Sequence, residues 1–276
     1  MARLRDAAIL ITGASSGIGE ATALAFARRR ARLALCARRL EPLRSVALRC
    51  HKAGAADVLV RTADVGHPGE ARAFVLAALA AFERVDVLIN NAGVGWHGRF
   101  ETMPEATLTE ILVTNVLGAM WTTQAALPAM LGARSGVIVN VASVVGVRAM
   151  PYSAVYSASK HALVGFSHAL RGELSGTGVK VCTVHPGTTS TGFFRGREPE
   201  GLIAQSPQWV ARTIVRAVRW PRRDVYVLPY RLAQVAEPLL GGLLDHLLGE
   251  FQRSRDPALR RGPGQGSSGT SRSGAR

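Results

Sequence analysis

Short apolar runs alternate with longer amphipathic segments along most of the chain. The apolar runs predict buried parallel strands, which are apolar on both faces; they are Ala7–Thr12, Arg32–Ala37, Asp57–Arg61, Asp86–Ile89, Gly136–Ala142, Val179–His185 and Asp224–Leu228. The segments between them have helical spacing; they are Glu20–Arg30, Leu40–Lys52, Pro68–Phe82, Pro104–Leu131, Ser153–Leu174 and Pro207–Val218. Such alternation predicts an α/β fold, a doubly wound parallel sheet of about seven strands with helices on both faces.

The pattern of helical segments also predicts the domain organisation. The long segment Pro104–Leu131 is expected to break near Gly118 or Pro128, since glycine and proline weaken helices. Residues 1–228 form one domain, and residues 229–251 continue it as an amphipathic helical extension. Such a helix packs on its own domain or a partner subunit, which we favour, or lies on a membrane surface. Residues 252–276 are rich in Gly, Ser and Arg and are expected to be disordered.

Composition and charge exclude several classes of protein. The chain has 276 residues, 47% hydrophobic, and a net charge of +15. The positive charge is almost entirely arginine, without interleaved aromatic residues or a helix-turn-helix pattern, so we expect no nucleic-acid partner. Apolar runs are too short to cross a membrane. Three scattered cysteines (Cys36, Cys50 and Cys182) suggest neither disulfides nor a metal site. We therefore expect a cytoplasmic protein, with peripheral membrane contact through the helical extension as the alternative.

A glycine-rich loop follows the first strand and opens the first helix. Its sequence is Gly13-Ala14-Ser15-Ser16-Gly17-Ile18-Gly19. Glycines let the backbone turn tightly and approach a pyrophosphate, and the helix N-terminus then faces the anion, as in Rossmann-type dinucleotide sites. The same loop also matches G-x-S-x-G, the nucleophile elbow of serine hydrolases, with Ser15 as nucleophile. That elbow normally lies well into the chain, whereas this loop follows the first strand, so the hydrolase remains a remote alternative.

The end of the second strand bears on the choice of cofactor. An acidic residue there would bind the ribose 2′-hydroxyl of NAD, whereas arginine suits the 2′-phosphate of NADP. Ala37 stands in the acidic position and is followed by Arg38 and Arg39. The sequence therefore favours NADP(H) over NAD(H).

Tyr156 and Lys160 are the main candidates for proton chemistry. They lie four residues apart in a predicted helix, on one face and one turn apart. A neighbouring ammonium lowers the pKa of a phenol, which makes it a usable proton donor and acceptor near neutral pH. Ser143 follows a predicted strand, at the edge where ligands bind in open α/β sheets. Tyr-x-x-x-Lys is common by chance, so the remaining motifs decide its weight.

Three further motifs follow predicted strands or lie in the long helix: Asn90-Asn91-Ala92-Gly93, Asn115, and Pro186-Gly187 with Thr191. Together with the glycine loop, Ser143 and the Tyr156–Lys160 pair, they resemble the short-chain dehydrogenase/reductase family in order and rough spacing. The resemblance runs from about Ala7 to Val227. Each motif is weak alone, but the ordered set is specific. The implied activity is NAD(P)-dependent interconversion of a carbonyl and a secondary alcohol, with a non-catalytic dinucleotide-binding or membrane-surface scaffold as the alternative.

The resemblance also implies a role for each matching residue. Tyr156 would be the general acid/base, and Ser143 would hydrogen-bond the reacting oxygen. Lys160 would lower the pKa of Tyr156 and bind the nicotinamide ribose, and Asn115 would support a proton-relay water. The cofactor would contact Gly13, Ser15, Ser16, Gly17, Ile18, Gly19, Arg38, Arg39, Asp64, Val65, Asn91, Ala92, Gly93, Tyr156, Lys160, Pro186, Gly187, Thr189 and Thr191.

In the family, the substrate meets the region before the tyrosine and the loop after Pro-Gly. The expected substrate residues are Ser143, Val145, Met150, Tyr156, Phe193 and Phe194. Their apolar character suggests an apolar carbonyl or alcohol as the small-molecule partner, and internal packing of these side chains is an equal alternative. Family members are commonly homodimers or homotetramers. His185 stands where the family often has Asn and is expected to be a buried strand-end histidine.

Overall fold

The computed structural model describes residues 4–189, 193–196, 205–226, 242, 245–254 and 259. The strands are β1 Ala8–Thr12, β2 Arg32–Ala37, β3 Asp57–Thr62, β4 Val87–Asn90, β5 Gly95–His97, β6 Gly136–Val141, β7 Val179–His185, β8 Phe194–Gly196 and β9 Asp224–Tyr226. The main sheet has seven parallel strands, in the order β3-β2-β1-β4-β6-β7-β9. The predicted doubly wound fold is confirmed.

Helices cover both faces of this sheet. They are α1 Gly17–Ala27, α2 Leu40–Lys52, α3 Pro68–Phe82, α4 Glu105–Leu112, α5 Gly118–Gly132, α6 Ala154–Glu173 and α7 Pro207–Arg219. Because side chains alternate along a strand, β1 contributes to two cores. Ile9 and Ile11 pack with Phe26 of α1 and the layer of α2 and α7. Ala8 and Leu10 pack with Phe74 of α3 on the other face, so the central strand is buried on both sides.

The long helical segment breaks beside Gly118, one of the two positions predicted. Val113–Leu117 form a π-helical turn, in which the N–H of Gly118 donates to the carbonyl of Val113. A Cβ on Gly118 would lie 2.9 Å from Cγ2 of Val65, so the close approach requires glycine. Pro128 lies inside α5 and does not end it. Asn115 is therefore carried on a wide turn, a local irregularity often found at functional sites.

Several ends differ from the sequence expectation. Helix α1 begins at Gly17 rather than near Glu20. The strands β5 and β8 form a separate two-stranded parallel ribbon that the sequence did not predict. Three-residue strands are too short to show a periodic pattern.

Much of the predicted C-terminal organisation lies outside the described residues. This applies to residues 227–241, where the domain boundary was predicted, and to most of the predicted tail. Residues 245–254 are helical, so this helix runs past residue 251, where the extension was predicted to end and a disordered tail to begin. No helix in the described part of the chain is both long and apolar enough to cross a membrane.

Candidate active site

A cavity of about 800 Å³ opens at the carboxyl edge of the main sheet. The parallel strands all end at this edge, so their following loops meet there. Predicted site residues that line the cavity are Gly13, Ser15, Ser16, Gly17, Ile18, Arg38, Arg39, Asp64, Val65, Asn91, Ala92, Gly93, Ser143, Val145, Met150, Tyr156, Lys160, Pro186, Gly187, Thr189 and Phe193. Motifs scattered over most of the chain thus share one cavity.

Four predicted residues are not among those lining the cavity. Gly19 and Asn115 lie behind its wall, where they shape it. Thr191 lies outside the described residues, as does the side chain of Phe194.

The glycine loop fits a dinucleotide pyrophosphate. Gly13 and Gly17 have positive φ angles of 64° and 58°, the left-handed region that favours glycine. A Cβ on Gly19 would lie 2.2 Å from the carbonyl oxygen of Gly13, so the loop can pack against α1 only with glycine there. Ser16 caps α1 without a side-chain hydrogen bond to it. Gly17 and Ile18, in the first turn of this helix, line the cavity, and uncapped N–H groups and the helix dipole at such a position suit an anion.

Asn91 holds the glycine loop from the neighbouring strand. Its Nδ2 donates to the carbonyls of Thr12, at 2.9 Å, and Gly13, at 3.1 Å. The hydroxyl of Thr12 in turn accepts from the N–H groups of Asn91 and Ala92, both at 3.0 Å. The Asn-Asn-Ala-Gly motif thus both lines the cavity and ties β4 to the loop after β1.

Arg38 and Arg39 differ in their surroundings. Arg39 Nη2 lies 3.5 Å from Ser16 Oγ, at the start of α1, and makes no ion pair with a described residue. Arg38 Nη1 donates to Glu110 Oε1 at 2.6 Å and lies 4.0 Å from Asp64 Oδ2. The charge of Arg38 is thus already balanced by carboxylates, whereas that of Arg39 faces the open cavity.

Ser143, Tyr156 and Lys160 line one part of the cavity. The Ser143 hydroxyl lies near the Tyr156 phenol, where it acts to lower the pKa of the phenol. Lys160 Nζ lies 5.7 Å from the centre of the Tyr156 ring and donates to the carbonyl of Val141 at 2.9 Å. All three side chains are more than nine-tenths buried. Helix α6 supplies the phenol and the amine, and the end of β6 supplies the serine.

Burial shifts the pKa values of this pair in opposite directions. It raises the pKa of the Tyr156 phenol, although the Ser143 hydroxyl acts in the lowering direction. It lowers the pKa of Lys160 to about 8. The net shift at Tyr156 is therefore opposite to the sequence expectation, which considered the ammonium and not the loss of water around the phenol.

Asn115 acts on the cavity from behind its wall. Its Oδ1 accepts from the N–H of Val94 at 2.8 Å, and its Nδ2 donates to the carbonyl of Val94 at 2.9 Å and to Ser159 Oγ at 3.0 Å. The side chain thus joins the loop after β4 to α6. The predicted water relay at Asn115 stays a prediction.

Sequence reasoning missed two parts of the site. Leu247, Leu248 and Phe251 of the helical extension, and Gln252 of the predicted tail, line the cavity. Gln205 supports the Pro-Gly loop from outside the cavity. Its side-chain Oε1 accepts from the N–H of Gly187 at 3.1 Å, and its backbone N–H donates to the carbonyl of Thr188 at 2.8 Å. The spacing of the leucines predicted a buried helical face but not the surface it covers, and no sequence signal identifies Gln205.

His185 lies next to the catalytic candidates, fully buried at the end of β7 as expected. Its Nδ1 is 3.3 Å from the carbonyl of Ser143, and its Nε2 is 3.3 Å from Asp224 Oδ1. His168 Nε2 lies 3.3 Å from the same oxygen. Burial by itself raises the pKa of Asp224, but the hydrogen bonds with His185 and His168 and the nearby charges of His168 and Arg171 lower it to about 2.

Asp224→Asn is expected to destabilise the protein by about 1 kcal/mol at pH 7, after allowing for solvent screening of a partly exposed carboxylate. Because the folded pKa lies below the unfolded value of about 3.9, the carboxylate stabilises the fold above that pH. This stabilisation is lost as the pH falls toward 2. Urea unfolding measured across this pH range should show that the difference in free energy of unfolding between the wild type and the variant becomes smaller as the pH falls. Glu173→Gln, an exposed carboxylate control, should show little difference, and an equal effect of both variants would contradict the assignment.

The fold and this cavity define a class, that of α/β proteins which bind a dinucleotide at the switch point of a parallel sheet. Residues 7–200 match the family model for short chain dehydrogenases. The chain is 35% identical to ketoacyl reductase HetN of Nostoc sp. over 231 residues, 82% of this chain and 80% of that protein. It is 33% identical to 17-beta-hydroxysteroid dehydrogenase 13 of Rattus norvegicus over 225 residues, 80% of this chain and 75% of that protein.

Solved structures give the same result. Levodione reductase matches with a TM-score of 0.76 and 26% identity, over 83% of this chain and 98% of that one. A metagenomic short-chain oxidoreductase in complex with NADP matches with a TM-score of 0.71 and 31% identity, over 82% and 98%. The chain belongs to the short-chain dehydrogenase/reductase family. It is thus an NAD(P)-dependent oxidoreductase acting on CH–OH and C=O groups.

Proposed function

We propose that the protein is an NADP(H)-dependent oxidoreductase that interconverts a carbonyl and a secondary alcohol on an apolar substrate, with Tyr156 as general acid/base. One observation carries the proposal. Ser143 and Tyr156 line the same cavity as the glycine loop, with Lys160 beside them. A reacting oxygen at the hydroxyls of Ser143 and Tyr156 meets both a proton donor and a second hydrogen-bond donor.

The proton chemistry belongs to this chain's own residues. The bound dinucleotide supplies or accepts a hydride at the substrate carbon. In reduction Tyr156 donates its phenolic proton to the carbonyl oxygen, and Ser143 donates a hydrogen bond to the same oxygen; in oxidation Tyr156 accepts the proton. The present hydrogen bond from Ser143 to the carbonyl of Pro186 is long, at 3.4 Å. The hydroxyl can therefore turn to a substrate at little cost.

Lys160 offsets the cost of forming a buried phenolate. Its pKa of about 8 leaves it mainly protonated at neutral pH. A buried ammonium this near the ring stabilises the phenolate more strongly than it would in water. Lys160 also lines the cavity, so it is within the space where we propose that it binds the cofactor ribose.

The preference for NADP(H) rests on the arginine at the edge of the cavity. Ala37 lines the cavity where an acidic residue would bind a ribose 2′-hydroxyl, and Arg39 follows beside Ser16. A planar guanidinium suits a phosphate. Two structures similar to this chain contain NADP or a derivative of it, which supports the proposal.

An apolar substrate suits the wall beyond Tyr156. Phe193 meets the Tyr156 ring edge to face, with centres 5.6 Å apart. Val144, Val145 and Met150 line the same region. Two relatives are named as dehydrogenases of hydroxysteroids, which is compatible with this wall. The hydrolase alternative gains no support, because no described histidine hydrogen-bonds to Ser15.

The decisive experiment is a panel of carbonyls and secondary alcohols assayed with NADPH and NADH by the absorbance of the reduced nicotinamide. We expect turnover of apolar members with NADPH. A pure, folded protein that neither binds NADPH nor turns over any member would overturn the proposal. Binding of the dinucleotide without turnover of any panel member would instead favour the scaffold alternative.

We also propose a cytoplasmic homodimer that pairs through α4 and α5. The stretch 111–133 contains no charged residue. Leu112, Leu117 and Leu131 are nevertheless 37–39% exposed there. Exposed apolar side chains in a stretch without charges suit a protein interface. The described part of the helical extension covers the cavity, so we do not assign it to a membrane.

The double variant Leu112→Glu with Leu117→Glu is expected to convert the dimer to a monomer. The two subunits would together place four carboxylates in the interface, where they would lose their hydration and repel one another. Light scattering coupled to size-exclusion chromatography measures the mass. Leu48→Glu, which alters a 63% exposed leucine on α2, should remain dimeric. A monomeric wild type, or a double variant of unchanged mass, would contradict the proposed interface.

A further inference from the structure

The helical extension closes one side of the substrate end of the cavity. Residues 245–254 lie against the loop that precedes α6. Arg148 Nη2 donates to Asp245 Oδ1 at 2.6 Å, and Arg253 Nη1 donates to the hydroxyl of Tyr152 at 3.2 Å. Tyr152 itself has φ of 64°, an uncommon conformation for a bulky residue, which marks the loop as tightly constrained. The helix is therefore joined by polar contacts to the loop that carries Met150.

Gln252 is the polar member of the four described residues of this helix that line the cavity. It lines the cavity with its neighbour Phe251 and with Leu248 one turn away. It is 5% exposed. Its Nε2 contacts Met150 Sδ at 3.8 Å, and a thioether is a weak acceptor. Its Oε1 accepts no hydrogen bond from any residue that the structure describes.

Neither side-chain polar atom of Gln252 is among the buried atoms that lack a hydrogen-bond partner. Its oxygen therefore stays accessible and can accept a hydrogen bond from a further group. The side chain faces the same cavity as Ser143 and Tyr156, so a bound molecule is the candidate. Nearby charges are already compensated, since Arg148 pairs with Asp245, and Arg253 with Glu250. A charged group at Gln252 would lose water without gaining an opposite charge there.

Building on the proposed function, we propose that Gln252 binds a second, uncharged oxygen of the substrate, while the reacting oxygen meets Ser143 and Tyr156. The amide both donates and accepts, so it suits a hydroxyl or a carbonyl. The substrate class is therefore a neutral, apolar skeleton with two separated oxygens, such as a hydroxyketone, a diketone or a diol. The apolar helix and loop residues that line the cavity around Gln252 pack on the part of the skeleton that separates the two oxygens.

The test uses matched pairs of apolar ring ketones, each with and without a second hydroxyl or carbonyl at a remote carbon. In wild type, kcat/KM for reduction with NADPH should be about tenfold higher for at least one doubly oxygenated member than for its partner, the effect of one neutral hydrogen bond. Gln252→Leu, of similar size, should remove this difference by slowing only the doubly oxygenated member. Gln208→Leu, on the exposed face of α7, should retain it.

Calorimetric binding of the same pairs to the NADPH-saturated protein separates the two proposals. Tighter binding of doubly oxygenated members by wild type, lost in Gln252→Leu, supports the inference even if nothing is reduced and the proposed function fails. Equal binding within every pair by wild type, including no binding at all, overturns it, and this comparison does not depend on the folding of any variant. Equal rates within every pair overturn the inference but leave the proposed oxidoreductase intact.

Discussion

Replacing Tyr156 by phenylalanine is expected to lower kcat for carbonyl reduction by roughly 10²- to 10⁴-fold, the usual contribution of a positioned general acid. The ring remains and keeps its contact with Phe193, so the wall of the cavity is preserved. The substitution removes the phenolic proton, and no other described side chain beside Ser143 has a hydroxyl that could replace it as a proton donor. The affinity for NADPH, measured by fluorescence titration, should change by less than a factor of about three.

The matched control is Tyr226→Phe. Tyr226 stacks on His185 with ring centres 4.5 Å apart, and the substitution keeps that stack while removing a hydroxyl outside the cavity. Its kcat should remain near the wild-type value. If Tyr156→Phe retained wild-type kcat on the best substrate of the panel, the proposed role of Tyr156 as general acid/base would be wrong, while the fold and family would stand.

Arg39→Gln is expected to raise the Kd for NADPH by about 10- to 100-fold and to leave the Kd for NADH almost unchanged. A hydrogen bond to a charged group contributes about 1.5–3 kcal/mol, and NADH lacks the 2′-phosphate that would accept it. Arg39 has no ion pair with a described residue, so its charge is not already balanced. Calorimetric titration with both nucleotides measures the change directly.

Arg38→Gln is the informative comparison, since Arg38 already donates to Glu110. Its loss should cost less affinity for NADPH than the loss of Arg39. Arg61→Gln, an exposed arginine on β3, controls for the loss of one positive charge. Equal losses in all three variants would indicate a general electrostatic effect, and a larger loss at Arg38 would reverse the assignment of the two arginines.

The strength of the sequence pattern determined how much of the fold could be predicted. The bounds of β2, α2, α3 and β7 agree with their predicted ranges, since each is an uninterrupted run bounded by charged or turn residues. The π turn before Gly118 and the β5–β8 ribbon were not predicted from the sequence. A π turn adds one residue to a helix without changing its apolar composition, and a three-residue strand is too short for a period to be visible.

For the site, sequence alone identified the residues that follow strands, because a parallel sheet brings those positions to one edge whatever the side chains. It therefore predicted that the glycine loop and Ser143 lie at one edge, and the resemblance to the family added Tyr156 and Lys160 to the same site. Contacts between distant segments could not be predicted. Gln252 lines the site and Gln205 supports it, both because the tertiary fold brings distant segments together. Neither residue forms part of a recognisable motif.

The sequence by itself determined the family, the parallel sheet and the residues available for proton transfer, because these depend on periodicity and on the order of motifs. Only the tertiary structure decided the properties that depend on what surrounds each group. Burial raises rather than lowers the pKa of Tyr156, and Glu110 balances Arg38 while Arg39 stays beside the cavity. The folded chain also brings Gln252 to the substrate end of the cavity. Desolvation and pairing arise from neighbours far apart in sequence, so no local pattern could have specified them.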